Sequence, residues 1–213
     1  MSGLLLASSC QPVAGEADCG DLVACVPARP RADGAEPAAR WLVVIDGLGH
    51  GPLAAQAARR ALATLEAAAR SGVADADPPA MLRRMDAALI DGRGAAVGLV
   101  WLQDGWLRHA GIGNTRVLRW RDGSTLRLPS RYGIVGDGSF VSDRSAQGLL
   151  QADVDVQPGD WLLLFTDGLD ERLQLPLMLP EWQADPVRLC AHLMSAWRHP
   201  RDDAGVLACR VLP

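Results

Sequence analysis

Short apolar runs punctuated by Gly, Pro and Asp dominate the first quarter of the chain. Residues 22–26 and 41–45 are continuous apolar stretches of strand length, the pattern of strands buried on both faces. A polar loop separates them, and Leu4-Leu5-Leu6-Ala7 reads as an earlier first strand. After Gly51 the period changes. Pro52 suits the first turn of a helix, and the Ala-rich stretch that follows to about Arg70 has high helix propensity, with its arginines grouped on a solvated side. Gly72 is expected to stop this helix. A second helix is predicted over 79–90, where Met81, Leu82, Met85, Ala88 and Leu89 recur at the spacing of one buried face.

The middle of the chain returns to strands. Residues 95–102, 106–112, 115–121 and 124–128 are strand-length segments separated by turns such as Asp104-Gly105 and Asp122-Gly123, which predict an antiparallel meander. A strand pair is expected at 149–156 and 161–166, joined by the turn Gln157-Pro158-Gly159-Asp160. A helix over 186–197 and a last strand over 204–211 complete the pattern. This order predicts an α+β fold in which helices cover stacked antiparallel sheets. A doubly wound sheet needs a regular strand–helix alternation that is missing.

Composition narrows the class. An apolar content of 49% over 213 residues suffices for a sizeable core without disulfides, and the 22 Gly and 14 Pro are spread along the chain as turn punctuation, so a single domain over 1–213 is expected. All 21 basic residues are arginine, the net charge is -4, and no basic run occurs. A nucleic-acid partner is therefore not expected, because such binding neutralises phosphates along a basic face. Five cysteines, an odd number without metal-ligand spacing, suggest neither a disulfide framework nor a zinc site and are read as reduced thiols of a cytoplasmic protein. The segment before Cys10 lacks the basic start and apolar length of a secretion signal, and no stretch approaches the roughly 18 apolar residues of a spanning helix. A soluble protein without a membrane partner is expected.

Four segments share one design, an Asp in a turn beside an apolar strand. They are Cys19-Gly20-Asp21 before 22–26, Asp46-Gly47 after 41–45, Asp167-Gly168 after 161–166, and Asp202-Asp203 before 204–211. Asp is common in turns because its side chain bonds nearby amides, so any one of these taken alone carries little. Strongly apolar strands leading directly into carboxylates are less ordinary. Hard divalent cations such as Mg²⁺ and Mn²⁺ take carboxylate and carbonyl oxygens, and a pair of them held at such turns activates water against phosphorus.

The ordered series Gly15-Glu16 with Gly20-Asp21, Asp46-Gly47-Leu48-Gly49-His50-Gly51, Ala110-Gly111-Ile112-Gly113-Asn114, Gly133-Ile134-Val135-Gly136, Pro158-Gly159-Asp160 leading to Thr166-Asp167-Gly168-Leu169, and Asp202-Asp203 resembles the SpoIIE branch of the 2C-type metal-dependent protein phosphatases. Within it the chain is most similar to the stand-alone RsbX-like stressosome phosphatases. The resemblance implies a four-layer αββα sandwich with two metal ions, Mn²⁺ or Mg²⁺, at one end. By motif, Asp46 would bridge both ions, Gly47 would lend its carbonyl, Asp21 would bind one ion, and Asp167 with Asp202 the other, with Asp203 secondary to Asp202. Cys19 stands where Ser is usual, and Gly205 where Thr is usual.

What the resemblance implies chemically is hydrolysis of phosphoserine or phosphothreonine by a metal-activated water attacking phosphorus in line, without a covalent intermediate. Asp46 and Asp167 are then the central catalytic residues. His50 is a candidate general acid, weighed against a role in orienting its loop by hydrogen bonding. Asn114 is read as a structural residue of a Gly-rich turn, and Cys19 as an inert thiol. The implied substrate is a phosphorylated STAS-domain regulator of a stressosome, or an anti-anti-sigma factor, and a monomer is favoured. Two rival readings stand beside this one. A dinucleotide loop at Gly47 to Gly51 fails because Pro52 stands where the third glycine belongs. A catalytically weak or inactive module of the same fold, binding the phosphoprotein without cleaving it, is the alternative.

Overall fold

The computed structural model describes residues 3–28, 39–71, 76–139, 149, 151–173 and 185–213. The polar loop after the second strand lies largely outside the described residues, as do Gly72 and residue 150 of the strand expected at 149–156. The chain runs β1 (Leu4–Gln11), β2 (Asp21–Pro27), β3 (Ala39–Gly47), α1 (Gly51–Ser71), α2 (Pro78–Leu89), β4 (Ala95–Gln103), β5 (Trp106–Ile112), β6 (Arg116–Arg121), β7 (Ser124–Arg127), β8 (Gln151–Asp155), β9 (Trp161–Phe165), α3 (Pro186–Trp197) and β10 (Ala204–Val211). Local chemistry explains the helix starts. Asp77 and Asp185 cap α2 and α3 by accepting backbone N–H bonds, with Pro at the first helical positions.

Two five-stranded antiparallel sheets form, one ordered β1-β10-β9-β6-β7 and the other β2-β3-β4-β5-β8. Alternation along single strands builds three apolar layers between them and their helices. On β3, Trp41, Val43 and Ile45 face α1 and α2, while Leu42 and Val44 face the other sheet. On β9, Trp161, Leu163 and Phe165 face α3, while Leu162 and Leu164 close the space between sheets. Strands buried on both faces need apolar residues at every position, which is why these segments read as unbroken runs. The result is the αββα sandwich expected.

Strand pairing departs from expectation at two places. The segments 95–128 do not form one meander: β4 and β5 pair in one sheet, and β6 and β7 pair in the other. The chain changes sheets after Ile112, where Gly113 N–H donates to the Arg131 carbonyl at 2.7 Å. Nor do the strands at 149–156 and 161–166 pair with each other. β8 pairs with β5, whereas β9 lies between β10 and β6. The turn at 157–160 is a bridge between sheets, since Val156 N–H donates to the Gly105 carbonyl and Gly159 N–H to the Val211 carbonyl. Arg121 holds this crossing by bonding both Asp155 and the buried Asp160, at 2.8 and 2.7 Å. With both strand faces apolar, period and turn residues mark a strand without choosing its partner. Among the described residues no helix is long and apolar enough to cross a membrane.

A carboxylate cluster where the two sheets meet

Each sheet delivers acidic residues to one end of the sandwich. In the β2–β3 pair, Asp21, the first residue of β2, is the register partner of Asp46 near the end of β3. In the other sheet, Asp167 follows β9 and Asp202-Asp203 precede β10, two strands paired with Val206 opposite Phe165. Because the strands leading to these turns are buried, the position of each carboxylate is set by the packed core rather than by its own loop. All four acidic turns converge electrostatically. Burial, followed by the charges of Asp21, Asp167 and Asp202, pushes the Asp46 carboxyl up to about 8. Burial is again the largest cause at Asp21, raised to about 7, with the charges of Asp203, Asp202 and Asp167 adding to it against a hydrogen bond from Thr166. Asp202 is raised by burial and by Asp167.

Glycines allow close backbone packing at these turns. A Cβ at Gly47 would collide with the Ala54 carbonyl of α1, and one at Gly168 with the Asp203 carbonyl. Asp203 itself is 2% exposed and committed to backbone: its carboxylate accepts from Val13 N–H at 2.6 Å and from Gly20 N–H at 2.7 Å. That grip fixes the turn carrying Asp21. Gly205 N–H donates to the Thr166 hydroxyl at 2.9 Å, which ties the start of β10 to the end of β9. The Cys19 thiol is pushed up to about 12 by burial, consistent with the inert thiol expected.

His50 sits beyond the end of β3 with its side chain 65% exposed, and its Nδ1 lies 3.0 Å from Glu16 Oε1. Asn114, read from sequence as a turn residue, instead enters the cluster: its Nδ2 donates to Asp167 Oδ2 at 2.6 Å. The signal available was its place in the ordered motif series. Thr166, beside Asp167 in the same motif, bonds Gly205 at the start of β10. From the cluster a cleft of about 650 Å³ opens past Asp46, Asn114, Arg116, Tyr132 and Ile134.

Among the described residues no three Asp, Glu, His or Cys side chains already surround one point as ligands. The donor set nonetheless fits a hard divalent cation. Asp21 Oδ2 is buried without a hydrogen-bond partner, and neighbouring carboxylates raise one another's proton affinity, a repulsion that a cation relieves.

An αββα sandwich with carboxylates from both sheets meeting at one end defines the 2C-type phosphatase class. The family model for stage II sporulation protein E matches residues 37–212, and the chain belongs to the SpoIIE family of 2C-type phosphatases, which are hydrolases. A search of curated proteins gives no match. Solved structures share the fold. One comes from work on the bacterial stressosome as a modular system adapted to control secondary messenger signalling, with 24% identity, a TM-score of 0.76, and 98% of this chain and 100% of that chain covered. RsbX in complex with magnesium has 16% identity and a TM-score of 0.72, covering 98% and 95%. The catalytic domain of the serine/threonine phosphatase PstP with two manganese ions has 19% identity and a TM-score of 0.69, covering 99% of each chain.

Proposed function

We propose that this chain is a metal-dependent serine/threonine protein phosphatase acting on a phosphorylated STAS-domain protein of a bacterial stressosome or a related anti-anti-sigma regulator. The observation that carries the reading is the meeting of Asp21 and Asp46 from one sheet with Asp167 and Asp202 from the other. In this reading Asp46, the Gly47 carbonyl, Asp21, Asp167 and Asp202 would hold two ions, with Asp203 secondary because its oxygens serve Val13 and Gly20. Two Mn²⁺ or Mg²⁺ ions bound there supply a water made acidic enough to ionise near neutral pH and neutralise charge on the phosphoryl group. The buried strand ends hold the carboxylates in place, so little reorganisation accompanies the reaction. The cleft beside Asp46 admits the phosphorylated side chain, and Arg116 on its wall is a cation suited to phosphate. His50, paired with Glu16, orients the loop after β3.

The relatives support the choice of substrate, since both RsbX and the stressosome protein share the fold over nearly the whole chain. Five free thiols fit a reducing cytoplasm. A panel of phosphorylated STAS-domain proteins assayed with Mn²⁺ tests the proposal. Wild type releases phosphate from at least one, and Asp46→Ala and Asp167→Ala each lower the rate at least 100-fold, about 3 kcal/mol in barrier. Wild-type rates in either variant would refute the metal assignment, whereas Mn²⁺ binding without turnover of any substrate would leave an inactive binding module.

A further inference from the structure

We infer that Asn114 is a positioning residue that holds the carboxylates of the two sheets at a fixed separation; the inference rests on the metal-centre reading above. Asp46 lies near the end of β3 in one sheet and Asp167 after β9 in the other, so no backbone hydrogen-bond ladder fixes one against the other. Asn114 stands where the chain itself crosses between the sheets, between β5 and β6. Its side-chain amide donates to Asp167 Oδ2 at 2.6 Å, and it lines the same cleft as Asp46. Asn114 therefore stands beside both carboxylates.

The crossing that carries it is tightly fastened. Gly113 N–H donates to the Arg131 carbonyl at 2.7 Å, Arg131 N–H donates back to the Gly111 carbonyl at 2.9 Å, and the Ser130 hydroxyl donates to the Gly113 carbonyl at 3.0 Å. An amide suits the position for a chemical reason. It offers N–H donors without a charge, so it holds the Asp167 carboxylate without adding a further negative group to an acidic cluster. Neither Asn114 proton is needed by a cation, which takes the remaining carboxylate lone pairs. Residues that orient ligands in this way typically change metal affinity or activity about 10- to 100-fold when removed.

Calorimetric titration of Mn²⁺ alone into the metal-free full chain tests this, with thermal melting in parallel. Asn114→Ala should weaken Mn²⁺ binding about 10- to 100-fold and lower kcat on p-nitrophenyl phosphate with little change in KM, while its metal-free melting temperature stays close to wild type. Asn114→Ser, which keeps one donor, should recover part of the affinity, and it carries the test should the alanine variant not fold. Wild-type affinity in Asn114→Ala, or no difference between the two variants, would overturn the positioning role while leaving the metal centre intact. A wild-type chain that binds no Mn²⁺ would overturn both.

Discussion

Asp21 and Asp46 are paired across β2 and β3 as register partners, two carboxylates placed directly opposite each other at the buried end of a sheet. Like charges in that relation destabilise a sheet, and burial adds the cost of removing each charge from water. The fold tolerates this because most of the remaining positions of β3, and Val23 and Val26 of β2, pack in the core. Such a pair is a poor structural element and a good cation site.

A stability prediction follows from the raised acidities. In the folded chain Asp21 and Asp46 hold protons up to about 7 and about 8, above the ordinary value of 3.8 that applies when unfolded. The folded state thus binds more protons between these limits, and metal-free stability must fall as pH rises through that window. Melting in the presence of a chelator should show a lower transition temperature at pH 8.5 than at pH 5.5. Asp46→Asn should flatten the difference and raise the transition at pH 8.5, and Mn²⁺ should do the same for wild type. A chelated protein that melts higher at pH 8.5 would contradict the proximity of these carboxylates.

Adjacent aspartates are expected to behave differently. Asp203 spends its oxygens on two amides, so Asp203→Ala leaves the half-buried N–H of Val13 and the buried N–H of Gly20 unpaired and should cost about 2–4 kcal/mol. Asp202, whose carboxylate makes a short local bond to Asp203 N–H at 2.9 Å, has no such structural duty. Asp202→Ala should weaken Mn²⁺ binding while leaving the metal-free melting temperature nearly unchanged. Melting curves with and without Mn²⁺ distinguish the two variants, and equal thermal losses would refute the division of labour.

For His50 the expected result is a modest one. Its exposed pairing with Glu16 is worth at most about 1 kcal/mol, so His50→Ala should fold normally. A log-rate profile against pH should keep its high-pH limb, with a rate reduction below about tenfold, because orientation of the loop is lost rather than a proton donor. Loss of that limb alone would instead make His50 the general acid.

The strands and helices were largely legible in the sequence, because apolar runs, helical spacing and turn residues act over a few positions. The acidic turns were legible for the same reason, as carboxylates attached to buried strands. Partner choice was not. β6 and β7 carry the same period as β4 and β5 yet belong to the other sheet, and β8 leads into β9 without pairing with it. Alternation records which face a residue shows and says nothing about which strand lies beside it.

That same ambiguity hid Asn114. In sequence it stands 53 residues from Asp167, in a turn whose glycines already explain a bend; only the passage of the chain from one sheet to the other brings its amide to 2.6 Å from the carboxylate. The sequence by itself determined which residues carry charge and which segments bury them. That carboxylates from two separate sheets share one end of the sandwich follows from tertiary structure, because the inner apolar faces of the sheets bury each other.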